Sequence, residues 1–189
     1  MDIVIDVSGI KIETERVILR PFSTLDLNDL YAYAKTPGVG ENAGWPHHKT
    51  METSRKVLNN FIKNKNTLAI VYKADDKVVG SLGMHTNSWA NRSWRYRKFI
   101  LKEIGYVLSK DYWGRGIMPE TVNAFIDYGF KELGIEAFFC SHFIHNNNSK
   151  RVIEKCGFTY VKKGKYYAGD LNRSFKELRY VKFPTLSQT

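Results

Sequence analysis

The sequence predicts a mixed α/β fold, with a largely antiparallel central sheet and helices on both faces. Two observations predict it. Short apolar runs bounded by turn residues are typical of strands, and between them apolar residues recur every three to four positions, as in amphipathic helices. A length of 189 residues, 43% of them hydrophobic, is enough for one domain with a substantial core. We therefore expect a single domain over 1–189, with its core at about 14–182, in the order β-α-α-β-β-β-α-β-α-β-β.

The first half of the chain is predicted to hold three strands and two helices. The opening apolar run stops at Pro21, and a later stretch rich in glycine and proline indicates a loop. The sequence Ala74-Asp75-Asp76 between two apolar runs favours a hairpin. The predicted elements are a strand at 17–20, a helix at 23–35, a loop at 36–49, a helix starting from Thr50, and strands at 67–73 and 77–85.

The second half is predicted to contain the longest helix and the most buried strand. The helix has apolar residues at Val122, Phe125, Ile126 and Phe130, which share one face. The run 137–143 is almost continuously apolar, as expected of a strand covered on both sides. The predicted elements are strands at 99–108 and 137–143, helices at 117–133 and 148–156 (the latter ended by Gly157), and strands at 158–161 and 174–183.

Composition narrows the class of protein. No stretch approaches the roughly 18 apolar residues of a membrane span. The N-terminal residues lack the basic and apolar regions of a signal peptide. Cys140 and Cys156 have no zinc-type partners, and three-residue spacing on a strand places His142 and His145 on opposite faces. We therefore expect a reduced, cytoplasmic protein, a monomer or homodimer, with no metal site.

The net charge of +10 and a pI near 9.5 indicate either an anionic partner or simply a basic surface. The candidate partners are nucleic acid, an acidic protein surface or a phosphate-rich small molecule. The residues of 89–98 interleave arginines with tryptophan and tyrosine, and Arg92–Lys98 is the most basic part. This stretch can contact nucleic acid by stacking and charge. It can also bind an acidic peptide, or form a hairpin arm with its aromatic residues packed inward.

The segment Glu103–Glu120 predicts a binding site for a phosphate or pyrophosphate. It runs from a strand through a turn containing Gly114 and Gly116 into a helix with Pro119 in its first turn. Free N–H groups and the positive end of a helix dipole attract anions there, and glycines allow close approach. A P-loop requires Lys-Ser/Thr after Gly116, and a dinucleotide-binding turn requires glycine at Pro119, so neither fits. A coenzyme A pyrophosphate loop is the remaining class.

Residues 111–116 (Asp-Tyr-Trp-Gly-Arg-Gly) resemble the Q/R-x-x-G-x-G/A loop of the GNAT superfamily of N-acetyltransferases, with Asp111 at the Gln/Arg position. Residues 146–158 resemble the N-x-x-S-x-x-V-x-x-x-x-G-F signature of the RimJ/RimL type within that superfamily. The opening TERVILRPF and the loop GENAGWPH are also similar to that type. The resemblance covers roughly residues 14–182.

The resemblance implies a GNAT-like acyl-CoA N-acyltransferase fold and acetyl-CoA as co-substrate. The acetyl group would pass directly to a primary amine, on a protein N-terminus or a small molecule, within a ternary complex. The strand before the loop would splay from its neighbour to admit the pantetheine arm, and an N–H near Tyr106 would hold the thioester carbonyl. The implied coenzyme-binding residues are Tyr106, Val107, Leu108, Trp113, Gly114, Arg115, Gly116, Ile117, Met118, Asn146 and Ser149.

The catalytic groups are less well defined by the resemblance. Many relatives place a tyrosine acid seven positions after the motif asparagine, where this chain has Ile153. Ser149 is implied to replace it, the alternative being a helix-terminal residue that satisfies backbone N–H groups. Glu103 is the candidate base, unless it faces solvent.

The loop around GWPHH supplies the candidate acceptor-site residues Trp45, His47 and His48. Histidine titrates near neutrality, so either histidine can serve as the base or shape the amine pocket. A structural role for both is the alternative. For the whole chain, the rival functional class is a nucleic-acid-binding module on a degenerate acetyltransferase fold.

Overall fold

The computed structural model describes residues 4–185, and the predicted span of 1–189 extends beyond them at both ends. Within that range eight strands form one sheet in the order β1-β2-β3-β4-β5-β6-β8-β7. The strands are β1 Ile12–Glu13, β2 Val17–Pro21, β3 Thr67–Tyr72, β4 Lys77–His85, β5 Leu101–Leu108, β6 Ala137–Phe143, β7 Thr159–Ala168 and β8 Arg173–Lys182. The α-helices are α1 Leu27–Ala34, α2 Met51–Asn64, α3 Ser88–Arg92, α4 Ile117–Glu132 and α5 Asn147–Lys155.

The sheet is largely antiparallel, as predicted, because every neighbouring pair except β5 and β6 runs in opposite directions. Strand β3 shows how its two faces are used. Leu68 and Ile70 belong to the core beneath α4 and α5, whereas Ala69 and Val71 belong to the core beneath α1 and α2. Alternation along the strand sends these pairs to opposite faces. The predicted mixed α/β fold class with helices on both faces is therefore confirmed.

Two strands differ from the prediction because their sequences carry little apolar signal. Strand β7 is ten residues long, whereas only 158–161 was expected. It lies at the sheet edge and pairs with β8 alone, so most of its side chains are exposed and need not be apolar. Strand β1 is a two-residue pairing with β2, too short to leave a pattern.

The stretch 89–98 folds as helix α3 followed by turns, so the predicted hairpin arm is wrong. Asn87 caps the helix, because its Oδ1 accepts a hydrogen bond from the Ala90 N–H at 2.9 Å. Trp89 and Tyr96 pack edge-on against Phe139, at ring-centroid distances of 5.3 and 5.2 Å. This part of the interpretation, aromatic residues turned inward, agrees with the structure. Trp94, in contrast, is 84% exposed.

Helix α4 approaches the sheet closely at Gly129, in the last turn of the helix. A Cβ at this position would overlap the ring of Phe138 on β6, which is itself fully buried. Glycine weakens a helix interior, so its presence here reflects packing. The close approach therefore fixes the C-terminal end of α4 against β6.

We predict that Gly129→Ala destabilises the protein by about 1–3 kcal/mol, the usual cost of overpacking a core. The sign of the change in unfolding free energy is informative, because replacing glycine by alanine in an exposed helix stabilises it by about 1 kcal/mol. Urea denaturation would measure the change. The matched control is Gly9→Ala, where an added Cβ meets no atom within 4 Å. An increase in stability for Gly129→Ala would show that the contact with Phe138 does not constrain the helix.

Candidate active site

The sheet opens between β5 and β6. These two strands pair in parallel only at Leu101–Glu103 with Ala137–Phe139, and their pairing then ends. A cavity of about 1350 Å³ lies at this opening. Its lining includes Tyr106 and Cys140 from the face under α4 and α5, and Glu103 from the opposite face. The cavity therefore reaches both sides of the sheet through the gap, as expected of a splayed strand pair.

The predicted phosphate loop forms one end of the cavity. Gly114 and Gly116 both have φ of 77°, in the left-handed region, and Gly116 is the residue from which α4 starts. The loop is tied to the preceding strand, because the Trp113 ring N–H donates to the Leu108 carbonyl at 2.8 Å. Trp113, Gly114, Gly116, Ile117 and Met118 all line the cavity. The first N–H groups of a sixteen-residue helix are thus directed to this end.

A hydrogen-bond network that the sequence patterns did not indicate holds this loop from the far side. Arg16 donates to the Arg115 carbonyl at 2.8 Å and to the Glu120 carboxylate at 2.7 Å. The Thr14 hydroxyl donates to the same carboxylate at 2.6 Å. Burial raises the pKa of Glu120, but these hydrogen bonds outweigh it and the pKa is lowered overall. The segment just before β2 therefore anchors the loop and the first turn of α4.

Asn146 caps helix α5 on the opposite side of the gap. Its side-chain oxygen accepts from the Ser149 N–H at 3.1 Å, and its amide donates to the Asn42 carbonyl at 3.2 Å. The Ser149 hydroxyl is 3.1 Å from the Tyr106 hydroxyl. The capping role considered for Ser149 is thus performed by Asn146, and the serine side chain faces β5 instead. Both residues line the cavity.

Tyr106 and Cys140 hold protons tightly at the centre of the gap. Burial is the main cause that raises the pKa of the Tyr106 hydroxyl well above 10 and also raises the pKa of the Cys140 thiol. Burial likewise raises the pKa of Cys156 to about 11. Both cysteines are free and buried. A buried thiol with a raised pKa is a poor nucleophile, so the arrangement favours direct transfer over an acyl-cysteine.

Glu103 is half-buried at the other end of the cavity and does not simply face solvent. The Ser141 hydroxyl donates to its carboxyl at 2.8 Å. Burial is the largest effect on its pKa and raises it, whereas the hydrogen bond from Ser141 lowers it. Beside it lies the ion pair of Glu177 and Arg179, whose atoms approach to 2.6 Å. This end of the cavity is polar on one wall and, through Trp89 and Tyr166, aromatic on another.

The loop residues predicted for the acceptor site separate into two groups. Trp45 and His48 line the cavity, with their ring centroids 5.1 Å apart. His48 is buried, and its Nδ1 is 2.7 Å from the Ser54 hydroxyl. His47 is not among the lining residues, and its Nδ1 is 2.7 Å from a carboxylate oxygen of Glu41. Of the predicted coenzyme-binding residues, Arg115 also lies outside the lining.

His85 lines the cavity, although no sequence pattern singled it out. It ends β4, and its ring lies over Gly83 on the same strand and Gly105 on β5. These two glycines are directly paired in the sheet. Two glycines that face each other across neighbouring strands are the signal that would have indicated a side chain lying flat on the sheet, but the pairing must be known first.

Two features are absent from the residues that the structure describes. Among residues 4–185, no group of three or more histidine, cysteine, aspartate or glutamate side chains is placed to hold a metal ion. His142 stacks on Tyr180, while His145 stacks on Phe143, so the two histidines have separate surroundings. The same part of the chain contains no helix that is long and apolar enough to cross a membrane.

A sheet opened beside a glycine turn and a helix N-terminus is the arrangement that the resemblance to the GNAT superfamily implies. The family model described as "Acetyltransferase (GNAT) domain" matches residues 16–159, well over half of the chain. The chain therefore belongs to the GNAT family of acetyltransferases and is an acetyl-CoA-dependent N-acetyltransferase.

Similar proteins agree with this assignment. The uncharacterized N-acetyltransferase YoaA of Bacillus subtilis is 24% identical over 152 residues, which cover 78% of this chain and 81% of YoaA. The structure of ribosomal-protein-S5-alanine acetyltransferase from Vibrio fischeri has a TM-score of 0.71 at 19% identity, covering 96% of this chain and all of that one. The microcin C7 self-immunity acetyltransferase MccE, in complex with acetyl-CoA and AMP, has a TM-score of 0.70 at 20% identity, covering 90% and 94%. At such identities the structural likeness shows the fold.

We predict that Gly116→Val weakens the binding of coenzyme A by about tenfold or more, equivalent to at least about 1.4 kcal/mol. The nearest atom to an added Cβ is Arg16 Nη2 at 3.5 Å, so the expected cause is loss of the left-handed backbone and crowding of the phosphate. Isothermal titration calorimetry would measure it.

The matched control is Gly134→Val. Gly134 has a φ of 63° and no atom within 4 Å of an added Cβ, so it carries similar backbone strain outside the cavity lining. Equal affinity of the Gly116→Val and Gly134→Val proteins for coenzyme A would show that the loop is misassigned.

Proposed function

We propose that this protein acetylates a primary amine by direct attack on acetyl-CoA within a ternary complex. One observation carries the proposal: a single cavity joins the phosphate loop to the polar wall at Glu103 through the gap between β5 and β6. A coenzyme whose phosphates occupy the loop would present its acetyl group in that gap. An amine arriving from the face under α1 and α2 would then meet the thioester directly.

The proposed coenzyme contacts follow from which groups surround the gap. Past Glu103, the edge of β5 is free of β6, so its main-chain groups can pair with the pantetheine arm. Asn146 stands across the gap, and Arg115 stands outside the cavity wall, where it can meet the phosphates. The proposed set is Tyr106, Val107, Leu108, Trp113, Gly114, Arg115, Gly116, Ile117, Met118, Asn146 and Ser149.

The proposed chemistry uses two ends of the gap. As the amine nitrogen bonds to the carbonyl carbon, the carbonyl oxygen gains negative charge, which an N–H near Tyr106 would stabilise. When the carbon–sulfur bond breaks, Ser149 would donate a proton to the thiolate, directed by the hydroxyl of Tyr106 at 3.1 Å. Glu103 would face the incoming amine and is the carboxyl proposed to assist its deprotonation.

The acceptor is proposed to enter beside Trp45 and His48, with His47 at the rim. Two classes of acceptor are proposed: a small-molecule amine, and a protein N-terminus of the kind that RimJ/RimL-type enzymes modify. The Vibrio fischeri relative, named as acting on an alanine of a ribosomal protein, is the reason to include peptides that begin with alanine. The buried free cysteines support the proposed reduced, cytoplasmic setting.

Thiol release from acetyl-CoA tests the proposal, with polyamines, amino-acid amides and peptides beginning with alanine or serine as acceptors. The rival function is nucleic-acid binding, favoured by exposed Trp94 within the basic segment Arg92–Lys98 and by a net charge of +10. An RNA-binding titration at several salt concentrations belongs beside the enzyme assay. Absence of coenzyme A binding together with steeply salt-dependent RNA affinity would replace the proposal with the rival.

We predict that Ser149→Ala lowers kcat by about 10- to 100-fold, because a general acid contributes roughly that much or more. The dissociation constant for coenzyme A should stay within about twofold, since the loss concerns the leaving thiolate rather than binding. Ser174→Ala, at an exposed serine of β8, is the matched control. If turnover by the Ser149→Ala protein equals that of the control, the serine is not the proton donor.

A further inference from the structure

The imidazole of His85 rests on a shelf made by two glycines. Cβ atoms built on Gly83 and Gly105 would lie 3.1 and 3.2 Å from His85 Nε2, tighter than nine in ten real Cβ contacts. A side chain at either position would require the ring to shift by a few tenths of an ångström. Because Gly83 and Gly105 are paired across β4 and β5, they leave a flat surface that the ring occupies.

The ring is crowded from below but open to the cavity above. His85 lines the cavity and is exposed to its solvent. No hydrogen bond to either ring nitrogen comes from the side chains that the structure describes, and the Thr67 hydroxyl on β3 lies beside Gly83 under the same ring. The charged neighbours are Lys102 and Glu103, both on β5. A histidine that lines an active cavity with both nitrogens unengaged is available to a ligand.

The shelf is also next to the reacting position. Gly105 immediately precedes Tyr106, near which the thioester carbonyl is proposed to bind. The other candidate, Glu103, is already engaged, because one of its oxygens accepts from Ser141 and its carboxyl lies beside Arg179. His48 is engaged as well, through Ser54.

We propose that His85 is the catalytic base that removes the proton from the acceptor amine, with Glu103 holding the ammonium form beside it. This inference rests on the proposed function, since it assumes that the acetyl group lies in the gap. It differs from the sequence-based interpretation, in which Glu103, His47 or His48 supplies the base.

The step balances as follows. One ring nitrogen of neutral His85 takes a proton from the ammonium group, which leaves a neutral amine and an imidazolium. The amine forms the carbon–nitrogen bond, the carbon–sulfur bond breaks, and the second proton lost by the amine nitrogen passes to the thiolate by way of Ser149. The products are an amide and a free thiol, and the imidazolium returns its proton to solvent.

The protonation state of His85 agrees with this role. Desolvation of the ring where it lies against the sheet, and Lys102 second, lower the pKa of His85 below its ordinary value of 6.5. A base acts in its deprotonated form, so His85 is competent at pH 7 and loses competence as the pH falls through its lowered pKa. Burial raises the pKa of Glu103, which brings the two groups closer in proton affinity.

Bromoacetyl-coenzyme A tests the inference without knowledge of the acceptor. A neutral imidazole beside the acetyl position forms a carbon–nitrogen bond to the bromomethyl carbon, and bromide leaves. Mass spectrometry of the digested protein should find the label on His85. The labelling rate should rise with pH and level off, with its midpoint below 6.5. His85→Gln should slow labelling by at least about tenfold, whereas His145→Gln, outside the cavity lining, should leave it unchanged.

Each other outcome has a defined meaning. Label on Glu103 or Cys140, or no label from an analogue that calorimetry shows to be bound, overturns the inference and leaves the proposed function intact. Failure of the wild-type protein to bind coenzyme A overturns the proposed function itself. If His85→Gln does not fold, the mapped site and pH dependence of labelling in the wild-type protein still decide.

Discussion

The structure depends on one interruption of backbone pairing, the point after Glu103 where β5 and β6 part. Buried main-chain N–H and C=O groups require partners, so a sheet opened in this way is stable only where something else approaches the freed edge. Here α5 is drawn against β5 through the hydroxyls of Tyr106 and Ser149, and Trp113 satisfies the carbonyl of Leu108. Strand β8 completes the other edge of β6. The opening is therefore a built part of the fold, and an elongated ligand with amide groups suits its freed edge.

Around this gap the protein separates two chemical environments. One end offers backbone N–H groups at the start of α4, suited to an anion. The other end offers carboxylates and an unengaged imidazole, suited to a cation that must lose a proton. Between them lie hydroxyl and thiol groups whose pKa values are raised by burial, so they remain neutral donors. At the proposed acceptor end Glu103 and Glu177 line the cavity together with Lys165 and Arg179, so this end is mixed in charge although the whole chain carries +10.

The sequence predicted the features that depend only on residues adjacent in the chain. Helix α4, buried strand β6 and the glycine turn at Gly114 and Gly116 each follow from contiguous residues, and each was placed to within a few positions. The full length of edge strand β7 was not predicted, because its exposed positions need no alternating pattern of apolar residues. The contacts of His85 and Arg16 could not be predicted for a different reason. Gly105 lies 20 residues from His85, and Glu120 is 104 residues from Arg16, so their proximity exists only once strand pairing and helix packing are known.

The hydrogen bonds from Arg16 to Arg115 and Glu120 limit how far the chain can be shortened at its N-terminal end. All residues of the proposed coenzyme site lie beyond residue 100, yet its glycine turn is held in place by the segment just before β2. A shortened chain that begins after Arg16 would keep every residue of the proposed coenzyme site. It would lose the hydrogen bonds that hold the glycine turn in place. The N-terminal segment thus supports the proposed coenzyme site, and we expect the smallest active unit of this protein to include Thr14 and Arg16.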